Sequence, residues 1–120
     1  MARKTRHAVR PRIRVTRSDG EIVIGPGKAD LLEAIAQTGS IRAAAAALEM
    51  SYMRAWTLVR TMNAVFRSPL VEKIRGGPEN GGAVLTPRGE RVLGLYRSME
   101  KKARRAIQAG WKALGRELGR

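Results

Sequence analysis

Residues 40–58 read Ser40-Ile-Arg-Ala-Ala-Ala-Ala-Ala-Leu48-Glu-Met50-Ser51-Tyr-Met-Arg-Ala55-Trp-Thr-Leu58, and this stretch decides the fold. A serine that can cap a helix stands at each of two starts, Ser40 and Ser51. The spacing predicts one helix from Ile41 to about Leu48 and another from Tyr52 to about Phe66, ended by Pro69. Two helices that cross steeply need small side chains where they touch. Ala44 and Ala45 supply them, with Ile41 and Leu48 on the same face and Met50 placed to plug the turn. Ala55, Leu58, Val59 and Met62 form the inward face of the later helix, and Trp56 borders it. An ordinary pair of packed helices shares parts of this pattern; the caps and the short turn point to a helix-turn-helix.

Upstream, Leu31, Leu32, Ile35 and Ala36 recur at helical spacing and Gly39 stops the run, which predicts a helix from Lys28 to Thr38. Before it, the alternation of Arg12–Arg17, the turn residues Ser18-Asp19-Gly20 and the β-prone Glu21–Ile24 predict a hairpin. Downstream, Leu70–Ile74, the loop 75–82 and Ala83–Leu85 predict a second hairpin. Thr86-Pro87 then opens a long helix toward Leu118, with Tyr96, Met99, Ala103, Ile107, Trp111 and Leu114 in an apolar stripe. The expected fold is therefore mainly α with two small β-hairpins, a winged helix-turn-helix with a long C-terminal dimerisation helix. The expected organisation is a basic flexible arm (1–11), the DNA-binding domain (12–86) and the dimerisation helix (87–120). Packing of that stripe onto its own domain is the alternative.

The balance of 24 basic and 10 acidic side chains, net +14, favours a polyanionic partner. Residues 1–20 carry +6 and residues 88–120 carry +7, whereas 21–87 carry only +1. A nearly neutral centre with basic flanks suits a compact reader of duplex DNA. The absence of cysteine excludes disulfides and thiolate metal sites, and His7 is the only histidine, so neither a metal site nor an enzyme is expected. No apolar run approaches the roughly 20 residues that span a bilayer, and no signal peptide follows the basic start, so a cytoplasmic, nucleoid-associated protein without membrane contact is expected. The glycines of 76–82 and of Gly25-Pro-Gly-Lys28 lack the Lys-Ser/Thr of a phosphate-binding loop.

A recognition helix reads base edges with its N-terminal residues. Ser51, Tyr52, Met53, Arg54, Thr57 and Arg60 occupy that end and the solvent side of the later helix. Arg54 suits a bidentate contact to guanine, and Met53 and Tyr52 suit thymine methyls or sugars. For Tyr52, partial core packing is the competing assignment, and for Arg60 a solvated face. Ser40, Arg42 and Ser51 suit backbone phosphates. Lys73, Arg75, Gly76 and Gly77, at the base of a flexible wing, suit the DNA backbone or minor groove.

Two stretches carry a resemblance to a known family. The first runs Leu31-Leu-Glu-Ala-Ile-Ala-Gln-Thr-Gly-Ser-Ile41 and continues with Ser51-Tyr-Met-Arg-Ala-Trp56 and Met62-Asn63; the second is Pro69-Leu-Val-Glu-Lys73 with Gly82-Ala-Val-Leu-Thr86 and Gly89. Over about residues 12–110 the chain resembles the N-terminal DNA-binding domain of the ModE-type molybdate-responsive regulators, relatives of the LysR-type helix-turn-helix. The resemblance implies a homodimer paired through the last helix and control of molybdate-related operons. By position it implies Ser51–Arg54 in the major groove and Lys73–Gly82 as the wing. The family's molybdate-binding domains are not among these 120 residues, so no cofactor is expected. Two further readings stand beside this one: a non-specific architectural DNA binder, and a repressor that takes molybdate at the dimer interface through Lys101, Arg104 and Arg105. Glu49 stands where the family's turn usually has glycine, and Met53 where a polar residue is common.

Overall fold

Each short helix of this chain is fixed by a local device at its ends, and the devices place the hairpins. The computed structural model describes residues 6–74 and 81–119. In chain order these form β1 (Val15–Thr16), β2 (Ile22–Ile24), α1 (Pro26–Thr38), α2 (Ile41–Ala47), α3 (Tyr52–Val65), β3 (Val71–Ile74), β4 (Gly82–Leu85), α4 (Pro87–Ala106) and α5 (Gln108–Arg116). β1 pairs with β2 and β3 with β4, both antiparallel.

α1 starts two residues before the expected Lys28, because Pro26 has its φ preset for the first helical turn. Its end follows expectation: Gly39 takes a left-handed φ of 80° and its N–H bonds the Ile35 carbonyl at 2.9 Å. The Gly39 carbonyl then accepts the Ala83 N–H at 2.8 Å, which stitches β4 to the α1–α2 corner. Leu31, Leu32 and Ile35 of α1, Met62 of α3 and Leu70 are fully buried. Each contributes about 1.5–3 kcal/mol, more than a typical hydrogen bond, so this apolar centre dominates the fold. Ala44 and Ala45 pack here as the crossing of α2 and α3 requires; Ala36 instead faces solvent, and Ala34 takes the inward place.

The α2–α3 turn is a Schellman motif. The Met50 N–H bonds Ala45 O at 3.0 Å and the Glu49 N–H bonds Ala46 O at 3.1 Å. That geometry requires a left-handed residue, and Glu49 sits there with φ 56°. Met50 is half-buried against the core, as the plug of the turn should be.

α3 stops at Val65, short of Pro69, because the Asn63 side chain reels the chain back. Its Oδ1 accepts the N–H groups of Leu70 (2.8 Å) and Val71 (3.1 Å), and its Nδ2 donates to Val71 O at 3.1 Å. Thr86 caps α4 by accepting the Gly89 N–H at 3.0 Å and donates to Pro69 O at 2.7 Å. A Cβ on Gly89 would overlap the Leu70 carbonyl, so only glycine lets α4 seat this closely.

The single terminal helix expected from Pro87 toward Leu118 is two helices. The chain turns at Ile107, with φ −92° and ψ −1°. The Gln108 side-chain amide donates to Arg104 O at 3.1 Å, the acceptor its backbone N–H would use in an unbroken helix. Tyr96 also departs from the expected dimer stripe: at 2 % exposure it belongs to the protein's own core, and its hydroxyl donates to Ile13 O at 2.6 Å. Burial and the nearby Glu100 carboxylate raise its pKa, with Arg97 acting the other way. Beside it, Arg97 ties α4 to α1, bonding Asp30 (2.8 Å) and Glu33 (3.3 Å) as well as Glu100 (2.9 Å). Burial works to lower the Arg97 pKa, but its bonds to Asp30 and Glu100 outweigh that and hold it above the ordinary value. The group therefore stays charged throughout the neutral range.

Candidate nucleic-acid interface

Both caps expected of the helix-turn-helix form. Ser40 Oγ accepts the Ala43 N–H at 2.9 Å and Ser51 Oγ accepts the Arg54 N–H at 3.1 Å. Each cap contributes about 1 kcal/mol and leaves the serine O–H able to donate to an anionic oxygen.

The inward face of α3 is Ala55, Val59 and Met62, with Leu58 half-buried at its edge. Met53, Thr57 and Arg60 consequently face solvent. Met53 is 65 % exposed, the most exposed large apolar side chain described. The Thr57 hydroxyl is already donated to Met53 O at 2.8 Å, which leaves its methyl and its lone pairs outward. Arg54 is exposed at the first turn of α3.

The two flanks of α3 differ. On one, Tyr52 is half-buried and the Arg42 guanidinium of α2 lies 4.4 Å from its ring centroid. Tyr52 thus both packs on the core edge and orients a cation. On the same flank Trp56 receives Arg60 at 4.7 Å and Lys73 of β3 at 5.9 Å. Such stacking holds long cationic side chains over a preformed platform. It joins the second hairpin to α3. Arg75, Gly76 and Gly77 of the expected wing lie outside the described residues.

Sequence reasoning did not bring the first hairpin to this surface. Arg12, Arg14 and Lys28 line a cleft of about 270 Å³ together with Arg54 and Leu58 on the opposite flank of α3. Farther along, Arg17 and Glu21 lie beside Thr57 and Thr61, and Arg60, stacked on Trp56, borders this side as well. A signal was available: the alternation that turns Ile13 inward puts Arg12 and Arg14 on one outward face.

Of the stripe on the terminal helices, Met99 and Leu114 are 43 % and 59 % exposed, while Ala103, Ile107 and Trp111 are half-buried. α5 has no buried residue. Lys101, Arg104 and Arg105, with Gln108, surround a shallow depression of about 310 Å³.

A three-helix unit with a serine-capped, cation-studded third helix and a hairpin returning beside it is a winged helix-turn-helix. Residues 28–90, more than half of the chain, match the model of the bacterial regulatory helix-turn-helix proteins of the lysR family, and the chain belongs to that family. The fold is also that of a chain in the crystal structure of the CbnR_DBD–DNA complex. The TM-score is 0.58 at 23 % identity, covering 73 % of this chain and 95 % of that one.

Curated relatives include the molybdenum-pterin-binding protein MopB of Rhodobacter capsulatus, 40 % identical over 76 % of this chain and 34 % of that protein. The molybdenum transport protein ModE of Azotobacter vinelandii is 42 % identical over 64 % of this chain and 28 % of its own length. The DNA-binding transcriptional dual regulator ModE of Escherichia coli K12 is 42 % identical over 59 % and 27 % respectively. The chain thus spans about a third or less of the relatives it matches. No described helix is long and apolar enough to cross a membrane.

Proposed function

We propose that this chain is a sequence-specific duplex-DNA-binding transcription regulator that acts as a homodimer on molybdate-related operons, without enzymatic activity and inside the cytoplasm. The observation that carries the reading is the first turn of α3. There Ser51, Met53 and Arg54 are exposed on a helix whose opposite face is sealed into the core. In this reading the helix enters the major groove, where Arg54 can donate two hydrogen bonds to guanine O6 and N7 while Met53 and the edge of Tyr52 meet thymine methyls. The hydroxyls of Ser40 and Ser51 and the Arg42 guanidinium hold the flanking phosphates, and Lys73 and the wing hold the backbone beside them.

The exposed Met99 and Leu114, with Ala103, Ile107 and Trp111 between them, suit pairing with the same face of a second copy. Two recognition helices would then meet major grooves about one helical turn apart. The molybdate connection rests on the kinship to MopB and ModE.

The test is fluorescence anisotropy with a duplex selected from a random pool and a scrambled duplex, at several salt concentrations. A regulator gives a preference above about 10³ at physiological salt. Arg54→Ala then lowers affinity by about 1–3 kcal/mol and relaxes selection at a single base pair. Equal affinity for both duplexes would make the chain an architectural binder. Sedimentation that finds only monomer at micromolar concentration would remove the dimer.

The gathering of Lys101, Arg104 and Arg105 around one depression supports a second reading, an oxyanion effector site at the pairing helices. Calorimetry with molybdate tests it: an absence of heat, with no change in DNA affinity, rejects it.

A further inference from the structure

The lysR-family match begins at Lys28, yet the β1–β2 hairpin before it lies against the reading helix. α3 is bracketed. Trp56 and Asn63 meet the β3–β4 hairpin, through Lys73 and the Leu70–Val71 backbone. Arg54, Leu58 and Thr61 face the β1–β2 hairpin and the strand that leads into it. A helix seated in a major groove has a phosphate backbone along each of its flanks, separated by about 12 Å. One hairpin can follow only one of them.

We propose that the segment Arg12–Ile24 is a second wing, and that Arg12 and Arg14 bind phosphates of the DNA strand opposite the one gripped by β3–β4. The inference rests on the DNA-binding reading above. Arg12 and Arg14 share the cleft of about 270 Å³ with Arg54, so a phosphate held there borders the bases that Arg54 reaches. Neither arginine forms an ion pair with a carboxylate among the described residues, whereas Arg17 is drawn to Asp19 (3.7 Å) and Glu21 (3.8 Å). Arg12 and Arg14 thus present charge that the fold itself does not use.

The segment is also held in place. Tyr96 donates its hydroxyl to Ile13 O at 2.6 Å, between the two arginines. Lys28 Nζ donates to Ile22 O at 2.7 Å and clamps β2 to the first turn of α1. The stem of Arg14 crosses Gly25, where a Cβ would come 3.4 Å from the Arg14 Cγ. Two arginines on an anchored backbone spend less conformational entropy on binding than a free arm does. The fixed position of that backbone relative to α3 makes them part of the reading head.

The experiment compares wild type with R12Q/R14Q, which removes the charges and keeps side chains long enough to cover Gly25. R116Q, on exposed α5, controls for the loss of general charge. Affinity for the selected duplex is measured against salt, and phosphate-ethylation interference maps the backbone contacts. Each neutralised phosphate contributes about 0.9 to the slope of log K against log salt, so R12Q/R14Q lowers the slope by about 2 per bound protomer and R116Q hardly changes it. Ethylation signals on the strand opposite the β3–β4 side disappear in R12Q/R14Q, and base preference at the Arg54 position is retained. An unchanged slope and unchanged interference pattern in R12Q/R14Q overturn the second wing and leave the DNA-binding reading intact. A wild-type protein that binds no duplex overturns both. R12Q alone, which leaves the Arg14 stem over Gly25, supplies the comparison if R12Q/R14Q does not fold, with a slope change of about 1 per bound protomer and circular dichroism confirming native helix content.

Discussion

Glu49 is the residue at which this fold is least at ease. It is the only non-glycine at positive φ among the described residues, and the Schellman bonds of Met50 and Glu49 hold it there. A Cβ in that region costs roughly 1–2 kcal/mol. Glycine removes the clash but has more freedom to lose from the unfolded chain, which returns about 0.5–1 kcal/mol. Glu49→Gly should therefore stabilise the protein by about 0.5–1 kcal/mol, a rise in Tm of about 2–4 °C for a chain of this size. Glu49→Ala separates charge from backbone: it removes the carboxylate, keeps the Cβ, and should leave stability within about 0.5 kcal/mol of wild type. Urea unfolding followed by circular dichroism measures both, at one fixed protein concentration because pairing would couple stability to concentration. If the alanine variant gains as much as the glycine variant, charge and not backbone geometry sets the cost. If glycine destabilises, the left-handed turn is not under strain.

Gly89→Ala should destabilise by about 3 kcal/mol or prevent folding, because the new Cβ meets the Leu70 backbone and neither element can withdraw without breaking the Thr86 cap; thermal melts give the value. Asn63→Ala removes the acceptor for the Leu70 and Val71 N–H groups and should cost about 1–3 kcal/mol, with the β3–β4 amides losing hydrogen-exchange protection first. Tyr96→Phe should cost about 1 kcal/mol at pH 8 through loss of the bond to Ile13. Because the folded pKa of Tyr96 is raised, its contribution is complete below the ordinary value of 10 and declines as pH rises through the folded value. The gap between wild type and Tyr96→Phe in urea titrations should therefore narrow above pH 10.

The helix-turn-helix was legible because its determinants are local. Two serines three residues ahead of the N–H groups they accept, and two alanines at a crossing, admit few other arrangements. Glu49 was legible as an anomaly through the family resemblance, because glycine is usual at that place in the turn. The end of α3 was legible to within a residue, about Phe66 against the observed Val65, but its cause was not: Pro69 is a visible stop, while the chain is turned by an Asn63 side chain reaching seven residues ahead. Nor was the turn at Ile107, where a glutamine amide displaces a backbone bond in an otherwise periodic stripe. Tyr96 fits that stripe by spacing, but its role is decided by Ile13, 83 residues away in sequence. The position of Arg12 and Arg14 beside Arg54 is likewise a tertiary fact.

Arg97 ties α4 to α1, and ten residues separate it from the turn at Ile107. At about 1.5 Å per residue this is a lever of about 15 Å. A rotation of roughly 13° about the Arg97 anchor moves the far end by about 3.4 Å, the length of one base-pair step. In the proposed two-fold pair both levers would turn, and the displacement between the proposed reading heads would be doubled. The ruler for half-site spacing would then lie far from any base, in one guanidinium shared among three carboxylates, and operators could drift in spacing by changes at Asp30, Glu33 or Glu100 while the letters read by α3 stayed the same.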